Sequence, residues 1–283
     1  MVKSILQIHC SVGALLLLAI VPSTYADIGV GGALVYHAGT ITQTFDSLGT
    51  GGSSSLASLT AGTWTSTGAA ATGGTGWVQQ VTGGAVNATT TQTTSDGSSA
   101  TAGYYNYGTT AAVDRALGSL TGASEQYYAL EVLNGTSQGY TNMTLTLTAE
   151  QWRSSTFVDQ LNLEYKLSPT ALTTVDSGGW TAFGPADNTP AAGSATALNG
   201  NLPANQFAMG GNNISFGINA WAPGTYLYIR VRDVSTGNAG LAIDNFALAG
   251  VPEPSTWIVG AMLLGLVGVR FWGNKSRSAA TLA

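Results

Sequence analysis

The chain of 283 residues carries 14 acidic and 9 basic side chains and has a formal net charge of −5. Between Asp27 and Val251 the balance is 13 acidic to 5 basic residues, which argues against nucleic acid as a partner because phosphate neutralisation needs clustered Lys and Arg. Charged residues make up 8% of the chain, against about 25% in ordinary globular proteins, so its polar surface must consist of Thr, Ser, Asn and Gln.

The N-terminal segment, residues 1–26, has the parts of a secretory signal peptide. Lys3 precedes an apolar core from Val12 to Val21, and the small residue Ala26 closes the segment. The apolar run is about half of the roughly twenty residues that a membrane span needs, which favours a cleavable signal over an N-terminal span. The sequence predicts cleavage between Ala26 and Asp27.

Cysteine and histidine are nearly absent after this segment. Cys10 is the only cysteine and lies within the predicted signal, so the mature chain has no disulfide and no cysteine-based metal site. His37 is the only histidine that follows the signal, which excludes a metal site built on several histidines.

Residues 47–103 are dominated by Gly, Ser, Thr and Ala, yet they contain Trp64 and Trp77. Large aromatic side chains in such sequence indicate that something packs there. We therefore expect short strands with long loops, with Thr63–Thr65 and Gly76–Val81 as the strand candidates.

From Tyr104 onward, apolar and polar residues alternate with the period of strands that have one buried and one solvent-facing side. An alternative is left at Ala149–Phe157, which could form a turn of helix. The pattern predicts an all-β fold over residues 27–250, an antiparallel β-sandwich with jelly-roll-like topology. The main strand candidates are Tyr127–Leu133, Met143–Thr148, Leu161–Leu167, Tyr226–Arg232 and Leu241–Leu248.

One strand carries the candidate ligand residues. Tyr226 and Tyr228 lie opposite the apolar side of their strand and are expected to be exposed, where their rings could stack on sugars. Arg230 and Arg232 share that side and either bind an anionic ligand or pair with acids. The other large aromatics, Trp180 among them, are expected in the core.

Carboxylates offer two further hypotheses. Asp233 and Asp244, with Asn245, are candidate calcium ligands, because calcium takes six to eight oxygen ligands; the alternative is ordinary hydrogen bonding. Glu131 and Glu164 both point away from the predicted apolar side. They are candidates for glycoside hydrolysis, which needs two carboxylates roughly 5–9.5 Å apart, and solvated glutamates are the alternative.

The C-terminus has three parts in a fixed order. Pro252-Glu253-Pro254 lies in a linker, residues 251–256, and proline prevents a helix from beginning before Pro254. An apolar segment, 257–273, follows and predicts a single transmembrane helix, and a basic tail, 274–283, completes the chain. Lys275 and Arg277 place this tail on the cytoplasmic side, and Arg270, near the end of the apolar segment, completes the basic cluster.

This order of parts resembles the PEP-CTERM sorting signal of bacterial surface and secreted proteins. The resemblance implies export, anchoring in the inner membrane through the C-terminal helix, and then release or transfer to the cell surface or matrix by an exosortase-like enzyme. A plain tail anchor and a buried helix are the alternatives. Asp114–Ser119 and Glu150–Arg153 are similar to β-sandwich domains of other PEP-CTERM proteins. Tyr226–Arg232 and Gly240–Leu248, with the Gly-bearing turn between them, resemble the closing hairpin of extracellular jelly-roll modules, many of which bind carbohydrate.

Three functions follow from these observations. The favoured one is a non-enzymatic surface or matrix protein. The second is a surface-displayed module that binds an extracellular polysaccharide. The third is a glycan hydrolase that uses paired carboxylates.

Overall fold

The computed structural model describes residues 32–59, 65–67, 72–73, 75–85, 91–183, 193–217, 220–234 and 238–251. In these parts the all-β prediction is confirmed, because the chain forms strands and short 3₁₀ helices without an α-helix. The strands are β1 (Leu34–Tyr36), β2 (Thr40–Gln43), β3 (Ser53–Ser55), β4 (Thr65–Thr67), β5 (Thr72–Gly73), β6 (Trp77–Val81), β7 (Thr91–Ser95), β8 (Gly103–Tyr107), β9 (Ala116–Leu120), β10 (Gln126–Asn134), β11 (Asn142–Arg153), β12 (Gln160–Ser168), β13 (Thr181–Ala182), β14 (Gln206–Ser215), β15 (Tyr226–Val234) and β16 (Gly240–Val251). The 3₁₀ helices are Asp46–Leu48, Leu56–Ser58 and Pro203–Asn205.

The strands form two sheets, an arrangement compatible with a β-sandwich. The first sheet has the order β13-β12-β15-β10-β1-β5, and β6 also pairs with β10. The second sheet has the order β14-β11-β16-β9-β8-β7-β3, and β2 pairs with both β16 and β4. β6 and β1 pair with successive parts of β10, and β9 and β2 do the same along β16. The closing hairpin expected from the jelly-roll resemblance is wrong, because β15 and β16 belong to different sheets.

Both sheets are mixed, so the prediction of a purely antiparallel sandwich is wrong for two pairs of strands. β1 runs parallel to β10, and β7 runs parallel to β8. No hairpin fixes the direction of β1, because it reaches β10 from a distant part of the chain. β7 and β8 are joined by residues 96–102, which at about 3.3 Å per residue are long enough to return the chain to the start of a five-residue strand.

The core lies where the apolar sides of the strands meet, as the alternation predicts. Leu161 and Leu163 of β12 are buried there, as are Leu227, Ile229 and Val231 of β15. Burying one side chain of this size stabilises the fold by about 1.5–3 kcal/mol. The register of these strands is therefore fixed by which side is apolar.

The Gly-rich part of the chain joins this core through Trp77. The ring of Trp77 is buried, with its centroid 5.2 Å from that of Phe45 and 5.6 Å from that of Phe246. β6 confirms the predicted strand there. Trp64 lies outside the described residues.

The structure rules out the alternative of a turn of helix within Ala149–Phe157. β11 continues to Arg153 because it pairs with β14 on one edge and with β16 on the other. A side-chain contact also stabilises the end of this strand. Trp152 is fully buried, and its Nε1 donates to Glu150 Oε2 at 2.9 Å.

A bulge marks the point at which β16 changes partner from β9 to β2. Ile243 still pairs with β9, and Phe246 already pairs with β2. Between them Asn245 has a φ of 52°, and the register against β11 shifts at the same level. Asn tolerates this left-handed conformation better than most residues.

Candidate functional site

The predicted ligand residues of β15 lie on the outer face of the first sheet, away from the core. Backbone pairing puts Tyr228 between Glu131 of β10 and Lys166 of β12. Arg230, two residues further along β15, lies next to Glu164 of β12. The face thus collects the tyrosines, arginines and glutamates that the sequence singles out.

Tyr228 is fully buried, so the prediction of an exposed ring is wrong for this residue. Its hydroxyl donates a hydrogen bond to Glu131 and accepts one from the backbone N–H of Leu172 at 2.8 Å. Burial, together with the adjacent Glu131 carboxylate, raises the pKa of Tyr228 well above its usual range. Glu131 is itself fully buried, so the two side chains form an internal polar pair.

Arg230 is enclosed by its neighbours, and its side chain is paired with an acid. Its Cζ lies 4.8 Å from the ring centroid of Tyr127 and 4.2 Å from that of Trp180. Its Nε donates to Glu164 Oε2 at 2.7 Å, and its Nη1 donates to the carbonyl of Val175. Burial lowers the pKa of Arg230, and the bonds to Glu164 oppose that effect. The residue is 5% exposed, and Nε, Nη1 and Nη2 all donate within the protein.

Arg232 is also paired with an acid, but nearer to the surface. Its Nε and Nη2 donate to the two oxygens of Glu125 at 2.9 and 2.5 Å, a bidentate arrangement. Hydrogen bonds from Arg232 lower the pKa of Glu125, and Tyr127 donates a further bond to the same carboxylate at 2.6 Å. About a third of the Arg232 side chain, 32%, remains exposed.

Residues 169–180, the covering loop, explain why this face is not open to solvent. Gln80 of β6 fastens the loop to the sheet. Its Oε1 accepts the backbone N–H groups of Val175 and Asp176 at 2.7 and 3.2 Å, and its Nε2 donates to Thr174 Oγ1 at 2.8 Å. The loop therefore adds a second, small layer of buried side chains outside the first sheet.

Tyr226 and Trp180 keep partial exposure at the edge of this layer. The Tyr226 ring stacks on Tyr228, with centroids 6.1 Å apart and an angle of 24° between the planes. Trp180 meets the same tyrosine edge-on at 6.5 Å. The sequence places Trp180 with the core aromatics, and no spacing signal in the chain links it to β15. The accessible aromatic surface is thus smaller than the predicted pair of Tyr226 and Tyr228, and it consists of Tyr226 and Trp180.

The two glutamates proposed for hydrolysis serve different internal contacts. Glu131 and Glu164 lie on the same face, but on strands that are separated by β15 and at positions two residues apart along it, so their backbones are about 12 Å apart. Glu131 binds Tyr228, and Glu164 binds Arg230.

The chain also contains a serine motif, which lies between β10 and β11 and includes none of the predicted site residues. Gly135-Thr136-Ser137-Gln138-Gly139 has the Gly-x-Ser-x-Gly spacing of a nucleophile elbow, which requires a strand-to-helix turn. Here the segment joins β10 to β11. Its backbone is held by Asn134 Oδ1, which accepts from Thr136 N at 3.0 Å, and by Thr136 Oγ1, which accepts from Gln138 N at 3.2 Å. The motif is therefore a link between two strands and does not form an elbow.

The candidate calcium ligands are on different sheets. Asp233 of β15 is buried and accepts a hydrogen bond from Ser119 Oγ; burial and the Asp159 carboxylate raise its pKa well above its usual range. Asp244 of β16 accepts from Asn245 Nδ2 at 2.8 Å, and burial raises its pKa to about 8. In the described parts of the chain, no three His, Cys, Asp or Glu side chains lie close enough together to hold a metal ion.

The export and sorting segments lie outside the described residues. These are the cleavage site Ala26–Asp27, the motif Pro252–Pro254, the predicted helix 257–273 and its basic cluster. No helix among the residues that the structure describes is long and apolar enough to cross a membrane.

Comparison with known proteins assigns no family to the chain. No protein-family model matches it, and no curated protein is significantly similar to it.

Proposed function

We propose that the protein is an exported bacterial surface or extracellular-matrix protein that a PEP-CTERM signal delivers. The observation that carries this proposal is the order of Pro252-Glu253-Pro254, the apolar segment 257–273 and the basic cluster. The last strand ends at Val251, directly before the motif. This position supports a division between a β-sheet body and a delivery segment.

The route follows from the two ends of the chain. The signal peptide, residues 1–26, directs export, and the helix 257–273 holds the protein in the inner membrane with residues 274–283 on the cytoplasmic side. An exosortase-like enzyme then processes the tail, and the body reaches the cell surface or matrix. The low content of charged residues, 8%, supports an extracellular surface of Thr, Ser, Asn and Gln.

The body, residues 27–250, is best interpreted as a jelly-roll-like β-sandwich. From β9 to β12, successive strands alternate between the second and the first sheet, and β14, β15 and β16 continue the alternation. Crossing between two sheets at each step is typical of jelly rolls, whereas up-and-down folds keep successive strands side by side.

The sorting proposal is tested by replacing the motif. We expect the triple variant Pro252→Ala, Glu253→Ala, Pro254→Ala to accumulate in the membrane fraction of its native host at full C-terminal length. Pro223→Ala, at an exposed proline of the body, is the matched control and should be sorted like the unaltered protein. Equal surface delivery of the triple variant would contradict the proposal.

Binding of an extracellular polysaccharide is the second candidate function, and the partly exposed Tyr226 ring favours it. Tyr226→Ala should weaken polysaccharide retention two- to tenfold, since an aromatic contact contributes about 0.5–1.5 kcal/mol. Phe157→Ala removes a ring that is 62% exposed elsewhere and is the control. Tyr228 is unsuited to this test because its hydroxyl is part of the internal pair with Glu131.

A further inference from the structure

A cavity of about 200 Å³ opens in the second sheet, at the ends of β7 and β8 and the start of β9. It is much larger than the roughly 10–15 Å³ that one water molecule needs. Its lining is polar and includes Thr50, Thr94, Asp96, Thr109, Thr110 and Arg115.

Arg115 is the cation of this cavity, and two of the three nitrogens of its guanidinium have no hydrogen bond. The residue is 1% exposed, and its Nε and Nη1 are buried without a hydrogen bond. All ion pairs in the described parts of the chain are made by Arg230 and Arg232. Two carboxylates lie near Arg115: Asp46 accepts from its backbone N–H at 3.2 Å, and Asp114 interacts with the guanidinium electrostatically, without an ion pair between them. Buried polar groups in native proteins are normally bonded, and an arginine left with open donors is suited to a planar oxyanion.

The guanidinium of Arg115 packs against the backbone of Gly108. A Cβ at this position would be 2.4 Å from Arg115 Nη1 and 2.8 Å from its Cζ. Only glycine therefore lets the arginine side chain approach the backbone this closely, so the position of the guanidinium in the cavity depends on residue 108.

Asp96 selects among oxyanions. Its Oδ1 accepts from the backbone N–H of Ser98 at 3.1 Å, and hydrogen bonds from Ser98 lower its pKa, so it carries a negative charge at neutral pH. A small anion with charge on all sides, such as phosphate, is repelled by this carboxylate. A ligand that presents a carboxylate on one side and hydroxyl donors on the other satisfies Arg115 and Asp96 together.

We propose that the cavity binds an acidic sugar of the uronate class, whose carboxylate accepts from Arg115 and whose hydroxyls bond to Asp96 and the threonines. The site is separate from the Tyr226 surface, which belongs to the first sheet. It also does not depend on how the protein is sorted, so either proposal can fail without the other.

Titration of the mature protein with sodium glucuronate tests the site. The readouts are the melting temperature and the NMR signal of the Arg115 Nε–H group, which has no partner in the structure. Glucose, which lacks the carboxylate, and sodium phosphate, which lacks the sugar, are added at the same ionic strength. We expect saturable shifts with glucuronate and none with glucose.

Two variants separate binding from folding. Arg115→Gln removes the charge, and Gly108→Ala displaces the guanidinium while keeping it. Each should weaken glucuronate binding by about tenfold or more, as expected for loss of a charge-assisted bidentate contact. Gly178→Ala, which meets nothing within 4 Å, is the matched glycine control and should bind normally.

The outcomes decide the proposal. Saturable binding of glucuronate that both variants weaken supports it. Equal binding of glucose, binding of phosphate alone, or an unchanged Arg115 signal at saturating glucuronate would each overturn it, and the last result would mean that the cavity holds only water.

Discussion

At the scale of single residues, the outer face of the first sheet is stabilised by polar pairs that are closed to water. Tyr228 and Glu131 are both fully buried and are joined by a hydrogen bond. Tyr228→Phe removes that bond and the acceptor of the Leu172 N–H. We expect the free energy of unfolding to fall by about 1–3 kcal/mol, because a buried acceptor loses its donor.

Urea denaturation measures this loss. Tyr226→Phe removes a hydroxyl from the same side of the same strand, where the ring is partly exposed, and should change the free energy of unfolding by less than about 0.5 kcal/mol. Equal losses in the two variants would show that the buried pair is not the cause.

Asp244 predicts a dependence of stability on pH. Its folded-state pKa of about 8 lies above the usual value of 3.8, so the folded protein keeps a proton that the unfolded chain releases between these values. Its contribution to stability is therefore present at low pH and is lost as the pH rises toward 8. The carboxylates that act on it, Glu150, Asp114 and Asp46, raise its pKa further.

Asp244→Asn isolates this contribution, because the variant is neutral at every pH. We expect the stability of the unaltered protein to fall relative to the variant by roughly 2–4 kcal/mol between pH 5 and pH 8. Thermal or urea unfolding at a series of pH values measures the difference. A constant difference across this range would contradict the raised pKa.

At the scale of elements, the bulge of β16 depends on the left-handed backbone of Asn245. Asn245→Gly and Asn245→Val both lose the bond to Asp244, so their difference reports the backbone alone. We expect the Val variant to be less stable by about 1–2 kcal/mol, because a β-branched residue is strained at positive φ.

Ala247, two residues after Asn245 in β16, provides the control for the bulge. Ala247 is in β16 and is not among the described residues with positive φ, so Ala247→Val should be at least as stable as Ala247→Gly. Chemical denaturation compares the four variants. The same order of Gly and Val at both positions would contradict the role given to Asn245.

Alternation in the sequence was sufficient to predict the inner strands but not what covers them. Leu161 and Leu163, like Leu227 and Ile229, recur every second residue because one side of each strand is buried. The covering loop, 169–180, has no such period. Its bonds to Gln80 and Arg230 join residues 95 and 55 positions apart, so the burial of Tyr228 depends on contacts that no local pattern contains.

The same limit applies to the Arg115 cavity. The sequence resemblance includes Asp114–Ser119, the segment that contains Arg115. The rest of the cavity lining comes from distant parts of the chain, among them Thr50, residues 94–96 and 98, and Gly108. These segments meet because β7, β8 and β9 are neighbours in the second sheet. Neither the unbonded Nε and Nη1 of Arg115 nor the need for glycine at 108 can be inferred before that neighbourhood is known.

At the scale of the whole molecule, we propose separate tasks for the two-sheet body and for the C-terminal delivery signal. The body has an internal polar layer and a cavity, which suit binding or structural roles. The proposal assigns the delivery of the body to Pro252-Glu253-Pro254 and the segment after it. The central claim concerns this second task, and it can be tested without knowing the ligand of the body.

Intact-mass analysis of the protein recovered from the cell surface tests that claim most directly. We predict the mass of a chain that begins at Asp27, after removal of the signal peptide, and that lacks the tail from Trp257 to Ala283. A surface-exposed protein whose mass still includes Trp257–Ala283 would contradict processing by the sorting system and would leave a plain membrane anchor as the explanation of the C-terminus.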